Sequence, residues 1–121
     1  MGEESCIGER GCRNLVPGDA DTLDELLDGI VDRYFKVDCA VFTPNNERVE
    51  HIDEMFHGSN ADGVIHYGLQ FCQPYLMESM NVEKKLETND IPVLRVETDY
   101  GTEDVGQLKT RVEAFLEQLR D

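Results

Sequence analysis

Tryptophan is absent from the 121-residue chain, and cysteine and proline are sparse, at 4 each. The cysteines stand at 6, 12, 39 and 72, wide and irregular and without a CxxC pair. Neither a zinc site nor a disulfide framework is therefore signalled. No apolar run is long enough to span a bilayer, and no basic-then-apolar leader is present. There is no GxGxxG and no GxxxxGK followed by Ser or Thr, so no glycine-rich phosphate cradle is indicated. Positive charge is scarce: 11 Lys and Arg face 26 Asp and Glu, a formal charge of −15. That balance argues against nucleic acid and anionic membrane as partners. The acids are spread along the chain rather than gathered in a tail, as expected of a solvated surface. The length allows one modest core, and the expected compartment is the cytoplasm.

Residues 1–19 are polar, punctuated by Gly2, Gly8, Gly11 and Pro17-Gly18, and show no regular period. They are expected to be irregular, with the α/β domain over 20–121. Leu23, Leu26, Leu27, Ile30, Val31, Tyr34 and Phe35 recur at helical spacing and predict an amphipathic helix over 22–35, laid on a core. Thr22 and Glu25 read as its capping box. Cys39–Phe42 is a short apolar run that could be a strand. A second helix is predicted from Glu47 to Phe56, with Val49, Ile52, Met55 and Phe56 on one face and His51 and His57 at the surface. Gly63–Tyr67 is an apolar strand expected to turn at Gly68. A helix then starts near Pro74, with a break near Asn81 and an end at Thr88–Asp90. Ile91–Asp99 is a second strand, read as buried on both faces. The last helix should bury Leu108, Val112, Phe115, Leu116 and Leu119. Alternating helix and strand imply a small parallel sheet of two to four strands sandwiched by helices, a Rossmann- or flavodoxin-like half domain. Two strands are few for that architecture. The expectation is a domain truncated at its N-terminus, with an open edge beside 63–67 that invites self-association.

Chemistry is concentrated at one sheet edge. In open α/β sheets, ligands gather beyond the carboxyl ends of parallel strands. There the chain places His66, Tyr67, Gln70, Cys72, Gln73, Glu97, Asp99 and Tyr100, with Gln107 and Thr110 near enough to join them. Pro74 suits a first helical turn, so Cys72 just before it meets the positive end of a helix dipole, which favours thiolate. Thiolate binds metals and attacks electrophiles. The plain alternative is an inert, half-buried thiol. Glu97 and Asp99 are two apart on a strand and so share a face. They could do acid–base work, cap a helix, or pair with Arg95 or Arg111. A Cys72–His66 hydrolytic pair is conceivable but has no local signature.

The stretches IHYGLQFCQPY (65–75) and IPVLRVETDYGTEDVGQLKTRVEAFLEQL (91–119) resemble the C-terminal part of the 2-hydroxyacyl-CoA dehydratase and benzoyl-CoA reductase subunit family. EESCIGERGC (3–12) is similar to the segment preceding them there. The resemblance implies a heterodimeric enzyme whose subunits bind a 4Fe–4S cluster through cysteines, with Cys72 matching the late-chain ligand. It implies an ATP-dependent activator protein that delivers an electron, and an acyl-CoA substrate. Such enzymes dehydrate a 2-hydroxyacyl-CoA through a ketyl radical or reduce an aromatic ring. On that basis His66, Tyr67 and Glu97 would line the active-site edge. Gln70 and Gln73 would tune the cluster or pocket by hydrogen bonding. The remaining cluster cysteines belong to an N-terminal domain or sister subunit, and Cys6, Cys12 and Cys39 do not replace them. The chain is thus expected to be a C-terminal fragment or small subunit. The alternative is a binding or structural module that keeps the fold without the cluster.

Overall fold

The structure is a computed structural model that describes residues 2–6, 8–11, 13–42 and 44–120. Its contacts divide the chain into two units, Glu3–Arg48 and Val49–Asp121, the latter joined by Gly2. Cys12 lies outside the described residues.

The first unit holds a short helical turn, Glu9–Gly11, and helix α1, Leu23–Phe35. The predicted capping box is formed: Thr22 Oγ1 accepts from the Glu25 N–H, and the Glu25 carboxylate accepts from the Thr22 and Asp21 N–H groups. Those backbone bonds hold the Glu25 carboxyl below its ordinary range. The packing departs from expectation, because α1 buries none of its residues. Leu23 is 70% exposed and Phe35 75%. Apart from Ala40, the described residues that this unit buries are polar. Glu4 bonds Arg10, and its other oxygen accepts from Arg48 Nη2 at 3.1 Å, with the Arg48 side chain fully buried. Residues 39–42 are not a strand. The Phe42 N–H bonds the Cys39 carbonyl at 2.9 Å, and the Asn45 amide bonds the same oxygen at 3.1 Å, so the run closes as a turn.

Helix α2, Asn46–Gly58, begins in the first unit and runs into the second. There follow strand β1 (Val64–Leu69), helix α3 (Gln73–Thr88), strand β2 (Val93–Thr98) and helix α4 (Val105–Gln118). The strands pair in parallel with Val64 opposite Val93 and Leu69 opposite Thr98. A parallel pair requires a crossover, and α3 supplies it. This is the expected small α/β arrangement, with a two-stranded sheet among the described residues.

The core of the second unit joins Ile52 of α2, Val82 and Leu86 of α3, and Ile91, with Val49, Phe56, Val64 and Val93 against them. Two helix ends are closed alike. After α3, Asp90 takes φ 57, its N–H bonds the Glu87 carbonyl, and the Ile91 N–H bonds the Leu86 carbonyl. After α2, Asn60 takes φ 49, and the N–H groups of Asn60 and Ala61 bond the carbonyls of His57 and Phe56. Both are Schellman closures with Asn or Asp in place of the usual glycine. The first brings Ile91 onto Leu86 inside the core.

Three expectations are corrected here. Helix α3 runs unbroken through Asn81, whose side chain is exposed and meets no packing conflict. The chain does not turn at Gly68, which is a buried strand residue. A Cβ there would lie 2.8 Å from Leu76 Cδ2, so this glycine permits close approach of α3 rather than a turn. Nor is β2 buried on both faces: Val96 and Thr98 are buried while Arg95 and Glu97 are exposed. On α4, Phe115 is buried, but Leu116 is 45% exposed. Among the described residues no helix is long and apolar enough to cross a membrane.

Candidate functional site

At the carboxyl end of β1 the Gln70 N–H bonds the Thr98 carbonyl at 2.7 Å, the last rung of the ladder. The chain then reverses over Leu69–Cys72, closed by the Cys72 N–H on the Leu69 carbonyl at 3.1 Å. Phe71, third in this turn, takes φ 71. A non-glycine residue in the left-handed region is strained, and such strain collects at functional sites. Phe71 also exposes 84% of its surface, so packing does not compensate for it.

Cys72 is the N-cap of α3. Its carbonyl accepts from the Leu76 N–H at 3.0 Å. Its thiol is free, exposed and makes no capping bond. Pro74 stands in the first turn, as its spacing predicts. The sulfur thus lies at the amino end of a 16-residue helix, beyond the tips of two parallel strands.

The residues grouped from the sequence separate around this thiol. His66 is 5% exposed, and its ring stacks on Tyr75 at 4.6 Å. It lies beneath α3, since Tyr75 and Leu76 cover the same side of the strand at Gly68. Tyr67 is the next residue of the strand and points to the opposite face, 51% exposed. Glu97 stands opposite Gly68 in register and is exposed. Gln70 and Gln73 are both exposed and flank the Cys72 turn. Asp99 is engaged locally, its Oδ1 accepting from the Gly101 N–H at 2.6 Å, and Tyr100 is 91% exposed. Thr110 bonds back to the Gly106 carbonyl of its own helix at 3.0 Å. Arg95 reaches Glu83 at 3.6 Å, not Glu97, and Arg111 bonds the Arg95 carbonyl at 2.7 Å.

The first unit carries a second polar cluster that no sequence pattern announced. Burial alone would raise the Glu4 pKa, but the Arg10 hydrogen bond and the charges of Arg48 and Arg10 hold it below its ordinary value. Arg10 Nη1 also reaches Cys6 Sγ at 3.3 Å. The sole hint in the sequence is the unlike charge of Glu4 and Arg10 in a glycine-punctuated loop. Arg48, 44 residues from Glu4, gave none.

Among the described residues no three His, Cys, Asp or Glu side chains converge to hold a metal ion. At this sheet edge Cys72 offers a single exposed thiol.

A family model described as 2-hydroxyglutaryl-CoA dehydratase, D-component, matches residues 1–119. The chain is 37% identical over 120 residues to YjiM of Escherichia coli (strain K12), provisionally named a dehydratase subunit, covering 98% of this chain and 30% of that protein. It is 37% identical over 87 residues to the β subunit of (R)-2-hydroxyglutaryl-CoA dehydratase from Acidaminococcus fermentans, covering 69% of this chain and 23% of that one. It is 28% identical over 120 residues to the (R)-phenyllactyl-CoA dehydratase β subunit of Clostridium sporogenes, covering 98% and 31%. The chain thus spans 23–31% of the length of these relatives.

Proposed function

The chain belongs to the 2-hydroxyglutaryl-CoA dehydratase D-component family, and from that premise we propose that it serves as the C-terminal portion of a 2-hydroxyacyl-CoA dehydratase subunit, contributing Cys72 to a 4Fe–4S cluster. The observation that carries this is the free thiol itself, held exposed at the N-cap of α3 by a strained turn. Clusters of this kind are held by several cysteine thiolates, so the remaining ligands come from an N-terminal domain or sister subunit of the same family. Gln70 and Gln73 flank the thiol with amide donors, the groups that orient metal ligands and tune cluster potential. When bound, the cluster supplies one-electron chemistry at low potential, fed by an ATP-dependent activator protein.

Two of the relatives are named as subunits of (R)-2-hydroxyglutaryl-CoA dehydratase and (R)-phenyllactyl-CoA dehydratase. Dehydration is accordingly proposed over reduction of an aromatic ring. The overall reaction removes water from the thioester and is redox-neutral. In this assignment the surface carboxylate of Glu97 handles a proton beside the substrate, while Tyr67, on the opposite face of the sheet, has no part in that step. His66 acts through its neighbours, because its ring is buried against Tyr75. The compartment proposed is the cytoplasm, where thiols stay reduced.

Anaerobic co-purification with the rest of a family subunit, followed by iron and sulfide analysis, tests the assignment. Cys72→Ala is expected to lose the cluster, while Cys6→Ala and Cys39→Ala keep it. Unchanged iron in Cys72→Ala would remove the ligand assignment. A complex that associates but stays colourless and iron-free would support a cluster-free binding module instead.

A further inference from the structure

We propose that the outer edge of β1, together with the sheet face bearing Ile65 and Tyr67, docks a parallel strand and its helix from the part of a family subunit that this chain does not span. The identity of the occupant rests on the functional assignment above; the location of the surface rests on the geometry alone.

Parallel pairing sends alternate N–H groups of a strand to opposite sides. The N–H groups of Val64 and Gln70 bond β2 residues Pro92 and Thr98 at 2.8 and 2.7 Å. By that alternation the N–H groups of Ile65, Tyr67 and Leu69 face outward, where no strand lies among the described residues. Burial changes across the same boundary. Tyr67 and Val96 are register partners on one face, yet Val96 is 3% exposed and Tyr67 51%. Ile65, on that face too, is 46% exposed. Parallel sheets are normally covered on both faces, and a two-stranded sheet is below the size that stands alone.

The two edges are not equivalent. The exposed side chains of β2 are Arg95 and Glu97, and Arg95 is tied to Glu83. Charge on an edge strand discourages pairing. The exposed side chains of β1 are Ile65 and Tyr67, with no charge between Val64 and Leu69. One edge is thus protected and the other is apolar and open.

A second copy is the weaker occupant, which revises the self-association expected from sequence. Each copy carries −15, so two would repel. A two-fold axis would also pair β1 with itself antiparallel, against the direction of this sheet. A family subunit offers the unspanned length directly, about 70% of the Escherichia coli relative.

The test co-expresses the chain with the portion of YjiM outside the matched stretch and follows hydrogen exchange and co-elution. Association is expected to slow exchange at the Ile65, Tyr67 and Leu69 amides by more than about tenfold. Ile65→Pro removes one outward donor and Ile65→Lys places a charge on the edge. Both are expected to abolish co-elution with native circular dichroism, and the lysine variant keeps the test informative should the proline variant misfold. Arg95→Ala is expected to associate as wild type. Full association by folded Ile65→Lys would overturn the proposal, as would no association with that portion. A dimer of the chain alone that Ile65→Lys dissolves would overturn it too, in favour of a second copy. Iron retained in Cys72→Ala, with edge-dependent association intact, would refute the cluster assignment and leave the docking surface standing.

Discussion

Phe71 is the residue whose conformation the chain bears at a cost. A left-handed non-glycine residue is disfavoured by about 1–2 kcal/mol, while glycine adds about 0.5–1 kcal/mol of unfolded-state entropy. With 84% of Phe71 exposed, little packing is lost on truncation. Phe71→Gly is therefore expected to stabilise the second unit by about 0.5–1 kcal/mol in urea unfolding. A loss of stability would show that the ring has a structural role in the free chain. The neighbouring Cys72 was legible because thiol, amides and Pro74 lie within a few residues, and a helix start is a local signal. His66 and Tyr67 were misgrouped for an equally local reason. Strand neighbours point to opposite faces, so proximity in sequence placed one ring under α3 and the other in solvent. Arg48 was illegible because its partner Glu4 is 44 residues away, and no short-range pattern reports such a pair.

At the scale of elements, periodicity found the helices but could not say which apolar stripes are covered. Leu86 is an apolar residue of α3, and Leu116 falls on the stripe of the last helix that was expected to be buried. Leu86 is fully buried between α2, α3 and the sheet, and Leu116 is 45% exposed. Leu86→Ala is expected to destabilise the second unit by about 2–5 kcal/mol and Leu116→Ala by less than about 1 kcal/mol, read from paired denaturant curves. Equal losses would mean that α4 is packed on both sides. The same limit explains α1, whose stripe is as regular as any in the chain yet buries nothing. Amphipathicity reports that a face is meant to be covered, not that the covering lies in the same polypeptide. Local rules did better at element ends. The capping box at Thr22 and the end of α3 at Thr88–Asp90 both form where read. The break expected at Asn81 fails because a weak helix former is tolerated on an exposed face.

For the molecule as a whole, acid has opposite effects on two kinds of charge. The formal charge is −15 at neutral pH, so lowering pH towards the isoelectric region near 4.4 relieves self-repulsion and favours the folded chain. Glu4 works the other way. Its folded pKa lies below the ordinary 4.5, so its contribution is complete above about pH 4.5 and is lost as pH falls through the depressed folded value. Protonation also leaves the Arg48 charge buried, with its Glu4 partner neutralised. The two units should therefore part company in acid. Between pH 7 and 5, exchange protection is expected to hold or rise throughout. Below pH 4.5 it should fall first in Glu3–Arg48, while Val49–Asp121, whose core is apolar, persists. Glu4→Gln should remove that difference by weakening the first unit at neutral pH already. Simultaneous loss of protection in both units, in the parent chain and the variant alike, would show that net charge and not the buried carboxylate governs the acid limit.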